Sequence, residues 1–335
     1  MLWRPLGLPD VRVWAALLAA AEEAERTGEL RSADDLAEEL TDPAIKPGAD
    51  TLAGYHGTDL VAYGKLLPRP SAVDAASVMV EGVVHPRMRG RGIGAHLVRW
   101  QIERGTHWLG EHYPGVPGEL HAQVHESNQG KRELYERHGF TARRWFFQLA
   151  RDPAADPADL ADQADLADQA DPADPADPAG LTLVPFAPEY DARTHAAYLA
   201  AMAGRLTPFA SEEATWRRWF TGTRKFRPGL SFLALSGSGD TATVVGYLLG
   251  SDHEAGLAGR DGRVAWGNHF GTRPQWRGRG VGSALIRRFL AAARTAGYGQ
   301  AMVMVDRANP TGVLSVFERH GFARSQTVIR YVRQI

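Results

Sequence analysis

The stretches VVHPRMRGRGIGAHLV (residues 83–98) and GTRPQWRGRGVGSALI (271–286) are two copies of one pattern. Pro86 aligns with Pro274, Arg89 with Arg277, and Gly90, Gly92 and Gly94 with Gly278, Gly280 and Gly282. A second pair follows in the same order: SNQGKRELYERHGF (127–140) and ANPTGVLSVFERHGF (308–322). In it Asn128 matches Asn309, and His138-Gly139-Phe140 matches His320-Gly321-Phe322. Self-similarity at this separation marks a tandem duplication.

Between the copies, residues 152–180 read DPAADPADLADQADLADQADPADPADPAG, with nine aspartates and no basic residue. So little apolar surface cannot offset the entropy of ordering. The segment is expected to be an extended, solvated linker, with a short Ala-rich helix over 160–170 as the competing possibility. The division that follows is an N-terminal domain 1–151, the linker 152–180 and a C-terminal domain 181–335.

Each half has period-two apolar runs alternating with helical patterns, which predicts an α/β (α+β) class with a mixed central sheet flanked by helices. In the first half, strands are expected at 51–56, 60–67, 77–84, 119–124 and 143–149, and helices at 10–27, 32–40, 92–105 and 131–138. Ser32 and Asp35 are spaced as a capping pair. After Gly280, Val281, Leu285, Phe289 and Ala293 recur every four residues, a face suited to packing on a sheet.

Composition narrows the function classes. The 335 residues are 44% apolar and 23% charged, ordinary for globular domains. No apolar run approaches the roughly 20 residues that cross a bilayer. The start, MLWRPLGLPD, lacks a basic n-region and an apolar core, so a cytoplasmic protein is expected. With no cysteine, thiolate zinc sites and cysteinyl intermediates are excluded. The formal charge of −1 conceals the acidic linker; without it 38 basic residues face 30 acidic ones. That surplus favours anionic small molecules or cofactors, without the dense basic stripe that nucleic acid requires.

A strand ending in Pro, then Arg-Gly-Arg-Gly-x-Gly, then an amphipathic helix brings bare backbone amides and a helix N-terminus to one point, an anion cradle. A dinucleotide-binding fold would put this loop after the first strand, with an acidic residue about 20 positions on. Here several strands precede the loop, and positions 300–304 are QAMVM.

The pattern Arg-x-x-Gly-x-Gly, followed by Asn and then Tyr-Glu-x-x-Gly-Phe, resembles the GNAT acyl-coenzyme A transferases, and the tandem layout resembles the two-domain actinobacterial members of that superfamily. The resemblance covers nearly everything except the linker. It implies two GNAT folds and an acetyl-coenzyme A-dependent N-acetyltransferase acting on the amine of a small molecule, such as an amino sugar, amino acid conjugate or antibiotic. It also implies that loop amides hold the pyrophosphate while pantetheine lies between splayed strands. Carried over by position, the cofactor-binding residues are Val84, Arg89, Gly90, Arg91, Gly92, Gly94 and Asn128 in the first half. Those of the second are Thr272, Arg277, Gly278, Arg279, Gly280, Gly282 and Asn309. No metal is expected.

Acyl transfer to an amine needs a proton for the departing thiolate and a neutral nucleophile. Tyr135 occupies the family's phenol position, which the second half fills with Phe317. Glu81, five residues before Pro86, stands where the family often has a glutamate, so the resemblance makes it the candidate base, and His269 aligns with it. Asp252, His253, Glu254 and Asp306 are further candidates in the second half. In tandem members the second domain is usually the catalytic one, whereas the phenol here points to the first; an enzyme active only in its C-terminal domain, or a non-enzymatic coenzyme A sensor, are the alternatives. His121 and His125 share a strand face but lack a third ligand at metal-binding spacing, and read as structural. Trp216, Trp219 and Phe220, with Ser211 as N-cap, read as a core stripe. Replacing 156–179 with a Gly/Ser segment of equal length should leave turnover within a factor of a few; a total loss in a steady-state assay would show that the segment helps build a site.

Overall fold

The computed structural model describes residues 1–68, 76–155, 178, 180–203, 211–254 and 262–335, so most of the linker, with the alternative helix at 160–170, lies outside the described residues. The first half contributes strands β1 (Leu2–Arg4), β2 (Thr51–His56), β3 (Asp59–Pro68), β4 (Ala76–Val84), β5 (Gly118–His125) and β6 (Thr141–Arg151). Its helices are α1 (Val11–Glu25), α2 (Ala33–Leu40), α3 (Pro47–Asp50), α4 (Ile93–His112) and α5 (Gln129–Arg137). The second half contributes β7 (Leu181–Pro185), β8 (Phe232–Ser236), β9 (Thr243–Glu254), β10 (Arg263–Thr272), β11 (Gln300–Asp306) and β12 (Ala323–Gln334). With these come α6 (Asp191–Met202), α7 (Glu213–Trp216), α8 (Val281–Thr295) and α9 (Val313–Arg319).

The five expected strands of the first half form within a residue or two of their expected bounds. Strand β1 and helix α3 carry too few patterned residues to be read in advance, and α4 runs on to His112. The capping pair at α2 is formed, Asp35 N–H donating to Ser32 Oγ at 3.3 Å and Ser32 N–H to Asp35 Oδ2 at 2.9 Å. Ser211 does not cap its helix: α7 starts after Glu212 without a side-chain cap, and a π turn continues it over Arg217–Thr221. Trp216 and Phe220 are core, as the stripe suggested, packed with Tyr198 and Leu233.

Two compact units emerge. One includes Met1–Phe146 and Gln326–Ile335; the other includes Phe147–His253 and Asp261–Ser325. Residues 147–151 therefore pack with the second half and 326–335 with the first. In the first unit the strand order is β1-β2-β3-β4-β5-β12, and in the second it is β6-β11-β10-β9-β8-β7. The last strand of the chain runs antiparallel to β5, from Val328 opposite His125 to Gln334 opposite Glu119. The exchange is reciprocal in detail, since Arg333 donates to the His138 carbonyl at the end of α5 and Arg151 to the His320 carbonyl at the end of α9.

In the first unit, Val78 and Val80 of β4 and Leu120, Ala122 and Val124 of β5 pack with Val98 and Trp108 of α4. The other face carries α1 and α2, through Trp14, Leu17 and Leu36 against Tyr63. In the second, Val281, Leu285, Phe289 and Ala293 of α8 are buried on the sheet, as their spacing predicts. Deleting Gln326–Ile335 should strip β5 of its outer partner. Amide hydrogen exchange along β5 should accelerate strongly while that of β10 and β11 stays near the wild-type rate.

Candidate active site

Gly90, Gly92, Gly278 and Gly280 all take left-handed backbone, with φ between +72° and +79°. A Cβ on any of them would meet no atom of the described residues within 4 Å, which leaves room for a ligand in front of each loop. Gly92 and Gly280 are the N-caps of α4 and α8, and no side chain caps either helix. The first-turn amides, which have no intrahelical acceptors, are thus left for a ligand. Gly94 and Gly282 serve packing instead: a Cβ would come within 3.0 Å of Leu134 Cδ2 and 2.9 Å of Phe270 Cζ, respectively.

Arg89 and Arg277, expected among the cofactor-binding residues, tie the loop to the strand before it. Arg89 Nε donates to the Val84 carbonyl at 3.1 Å, and Arg277 Nε to that of Thr272 at 3.2 Å. Arg89 also pairs with Glu25, and Arg277 donates to the Ala201 carbonyl at 3.0 Å. Arg91 and Arg279 are also exposed at the loops, the latter 5.1 Å from the Trp276 ring centre. Asn128 caps α5, its Oδ1 accepting from Lys131 N–H at 3.1 Å. Asn309 instead closes a turn with Thr311, at 3.0 Å from N–H and 2.6 Å from the hydroxyl, and α9 begins later, at Val313.

Beside each loop two parallel strands part. Strand β4 pairs with β5 from Ala76 opposite Gly118 to Val80 opposite Ala122, and then runs unpaired on that side through Glu81–Val84. Strand β10 pairs with β11 as far as Gly267 opposite Val303, although both strands continue. The splay leaves backbone donors and acceptors that an extended, amide-bearing chain can take up. The glycine cradle and the open strand edges together fit acetyl-coenzyme A, pyrophosphate at one and pantetheine along the other.

Tyr135 is buried in α5, in a T-shaped contact with Phe140 at 5.0 Å. Phe317 repeats that contact with Phe322 at 5.2 Å, so the two copies share a ring position and differ by one hydroxyl. Burial and the nearby Glu81 charge push the Tyr135 phenol well above its ordinary pKa, keeping it a proton donor.

Glu81 does lie on the strand entering the loop, but its surroundings argue against the expected base role. Its carboxylate pairs with Arg31, accepts from Tyr63 Oη at 2.5 Å and lies 3.3 Å from Lys65 Nζ. Glu39 closes the ring, pairing with Lys65 and, at 3.0 Å, with Arg31. Burial alone would raise the Glu81 pKa, but Arg31 and Lys65 outweigh it and hold the carboxyl well below the usual range. Such a carboxylate stays ionised and takes up a proton poorly. The partners Arg31, Glu39, Tyr63 and Lys65 were missed in the sequence; a lysine inside the apolar run LVAYGKLL was the available signal.

His269 stacks on Phe220 with ring centres 3.6 Å apart, and burial pushes its pKa down to about 3. Asp252 is held by Arg263 at 2.6 Å and Arg227 at 3.4 Å, His253 by Ser251 Oγ at 2.7 Å, and Asp306 caps a turn at Ala308. His121 pairs with Glu119 at 2.7 Å and His125 with Glu29 at 3.3 Å. Among the described residues no group of three His, Asp or Glu could hold a metal ion, and no helix is long and apolar enough to cross a membrane.

Two glycine cradles, each beside a splayed pair of parallel strands, define an acyl-coenzyme A-binding α/β protein. The chain matches the model of the acetyltransferase (GNAT) family twice, over residues 14–140 and 197–322, and belongs to that family. It is an acyltransferase, with acetyl-coenzyme A as acyl donor. It is 29% identical over 326 residues to a mycothiol acetyltransferase of Thermobispora bispora, covering 97% of this chain and 96% of the relative. A mycothiol acetyltransferase of Salinispora arenicola is 29% identical over 300 residues, covering 86% and 80%. Among solved structures, a GCN5-related N-acetyltransferase from Sphaerobacter thermophilus superposes with TM-score 0.74 at 25% identity, covering 99% of this chain and 95% of that one. A tandem GNAT protein from the clavulanic acid biosynthesis pathway shares the fold, with TM-score 0.69 at 20% identity and 99% and 98% coverage.

Gly92→Glu and Gly280→Glu each put a side chain and a negative charge into one cradle. Titration calorimetry should show each variant losing acetyl-coenzyme A binding in its own half, lowering the stoichiometry from two to one; an unchanged stoichiometry in both would make the loops scaffold.

Proposed function

We propose that the protein acetylates the primary amine of a small molecule and that its first unit carries the turnover. The observation that carries this is the single hydroxyl by which Tyr135 differs from Phe317 in matched surroundings. When bound, acetyl-coenzyme A supplies an acetyl group activated as a thioester. Amides of Gly90–Gly94 and the N-terminus of α4 would hold the pyrophosphate, and the free edge of β4 at Glu81–Val84 the pantetheine. Gly278–Gly282, α8 and the edge of β10 would do the same in the second unit. Tyr135, protonated at neutral pH, gives its proton to the departing sulfur. Glu81 contributes fixed charge, because Arg31 and Lys65 keep it from exchanging a proton near neutrality.

The name of the relatives supports a small-molecule acceptor, and mycothiol-type amines head the candidates. Mass spectrometry of products from an amine panel with acetyl-coenzyme A identifies the acceptor. A second reading, in which only the C-terminal unit turns over, draws support from His269, an uncharged imidazole beside the splayed end of β10.

Tyr135→Phe should lower kcat by about 10² or more and leave acetyl-coenzyme A affinity nearly unchanged. Phe317→Tyr should add at most a weak second activity. If Tyr135→Phe is silent while Gly280→Glu abolishes turnover in the same assay, the second unit is the catalytic one.

A further inference from the structure

Beyond the ladder with β4, strand β5 ends at His125, opposite Val328 of β12. Leu120, Ala122 and Val124 are in the core with α4, so alternation turns His121, Gln123 and His125 to the opposite face, toward the loop between α1 and α2. That loop is tightly built. Arg26 sits in left-handed backbone at φ 52°, and the Glu22 carboxylate gathers Thr27 N–H at 3.0 Å, Gly28 N–H at 2.7 Å and the Thr27 hydroxyl. So wound, the loop presents Glu29 to His125 Nε2 at 3.3 Å.

A carboxylate only accepts hydrogen bonds, so the proton of the neutral ring is on Nε2 and Nδ1 carries a lone pair. Nδ1 is buried and has no hydrogen-bond partner among the described residues. On the same face Gln326 donates its amide to the Arg26 and Thr27 carbonyls, each at 3.0 Å, while its buried Oε1 has no partner among the described residues. Buried acceptors are rarely left so in a finished site. What both lack is a donor, and an amine N–H is the donor that the reaction brings.

We infer that His125 is the group that takes the proton of the acceptor amine in the first unit, with Glu29 as its positioning residue and Gln326 Oε1 as a second acceptor for the amine. This rests on the proposal that the first unit turns over. The C–N bond forms as the thioester C–S bond breaks. The amine proton passes to His125 Nδ1, the Tyr135 hydroxyl proton goes to the sulfur, and solvent restores both groups. Burial would raise the Glu29 pKa, but the bond to His125 and the charge of Arg31 on the same loop outweigh it, against Glu81 on β4, and hold the carboxyl below its ordinary range.

The test uses the full chain with acetyl-coenzyme A and a panel of glucosamine, glycinamide and kanamycin. His125→Gln should lower kcat about 10²-fold with unchanged acetyl-coenzyme A stoichiometry, and added imidazole should partly restore a His125→Ala variant. Glu29→Gln should lower kcat without raising the KM for acetyl-coenzyme A, and Glu29→Asp should recover part of the loss, a split that a merely structural role would not produce. If His125→Gln is silent while Tyr135→Phe is not, His125 is not the base and the first-unit reading stands; if both are silent, that reading falls and this inference with it. Nitrogen-15 NMR decides the tautomer without an acceptor: Nε2–H is expected, and Nδ1–H would overturn the assignment.

Discussion

Strand β4 parts from β5 after Val80 and Ala122, and β10 from β11 after Gly267 and Val303, and much of the molecule is arranged to keep those gaps open. Backbone amides and carbonyls on a splayed edge are costly unless something pairs them. Two strands that diverge must also be held from their outer sides, or they close on each other. In the first unit β3 holds β4 and β12 holds β5; in the second β9 holds β10 and β6 holds β11. The exchanged strands are thus the outer supports of the two binding clefts, and the arginines near their ends, Arg333 and Arg151, fasten them to the helices that carry Tyr135 and Phe317.

On this shared frame the copies have diverged in chemistry more than in shape. The backbone bonds from His85 to the Val61 carbonyl and from Arg273 to that of Val245, both 2.8 Å, set the correspondence of β3 with β9. Counting from them, Tyr63 matches Tyr247 and Lys65 matches Leu249, while Glu81 matches His269. Two of the four charges in the first unit's ring, Lys65 and Glu81, are thus a leucine and a histidine in the second. Lys65 is 1% exposed, and its ion pairs with Glu39 and Glu81 bind the ring together. Losing both carboxylates would leave the buried Lys65 ammonium uncompensated, which is strongly destabilising.

The glycine loops, the duplicated order of elements and the Tyr135/Phe317 difference were legible because they depend on residue type at fixed local spacing. Positive φ at Gly90 and Gly280 requires glycine, and a phenol either is or is not at position 135. The roles of Glu81 and Arg89 were not legible, because each depends on what lies across the fold. Arg31 is 50 residues from Glu81, and Glu25 is 64 from Arg89. The same holds for His125, which alone looks like a strand histidine and gains its character from Glu29, 96 residues away.

By itself the sequence determined the family, the duplication and the cofactor cradle, all encoded in runs of about twenty residues whose backbone geometry is local. Tertiary structure alone decided which strand supports which cleft, since β5 accepts β12 from the far end of the chain through ladder bonds that no local pattern specifies. It also decided which ionisable groups are free to move a proton. Glu81 is held ionised by two cations, whereas His125 keeps a buried lone pair without a donor among the described residues. Proton affinity in a protein is set by burial and by neighbouring charge, and both are properties of the folded chain.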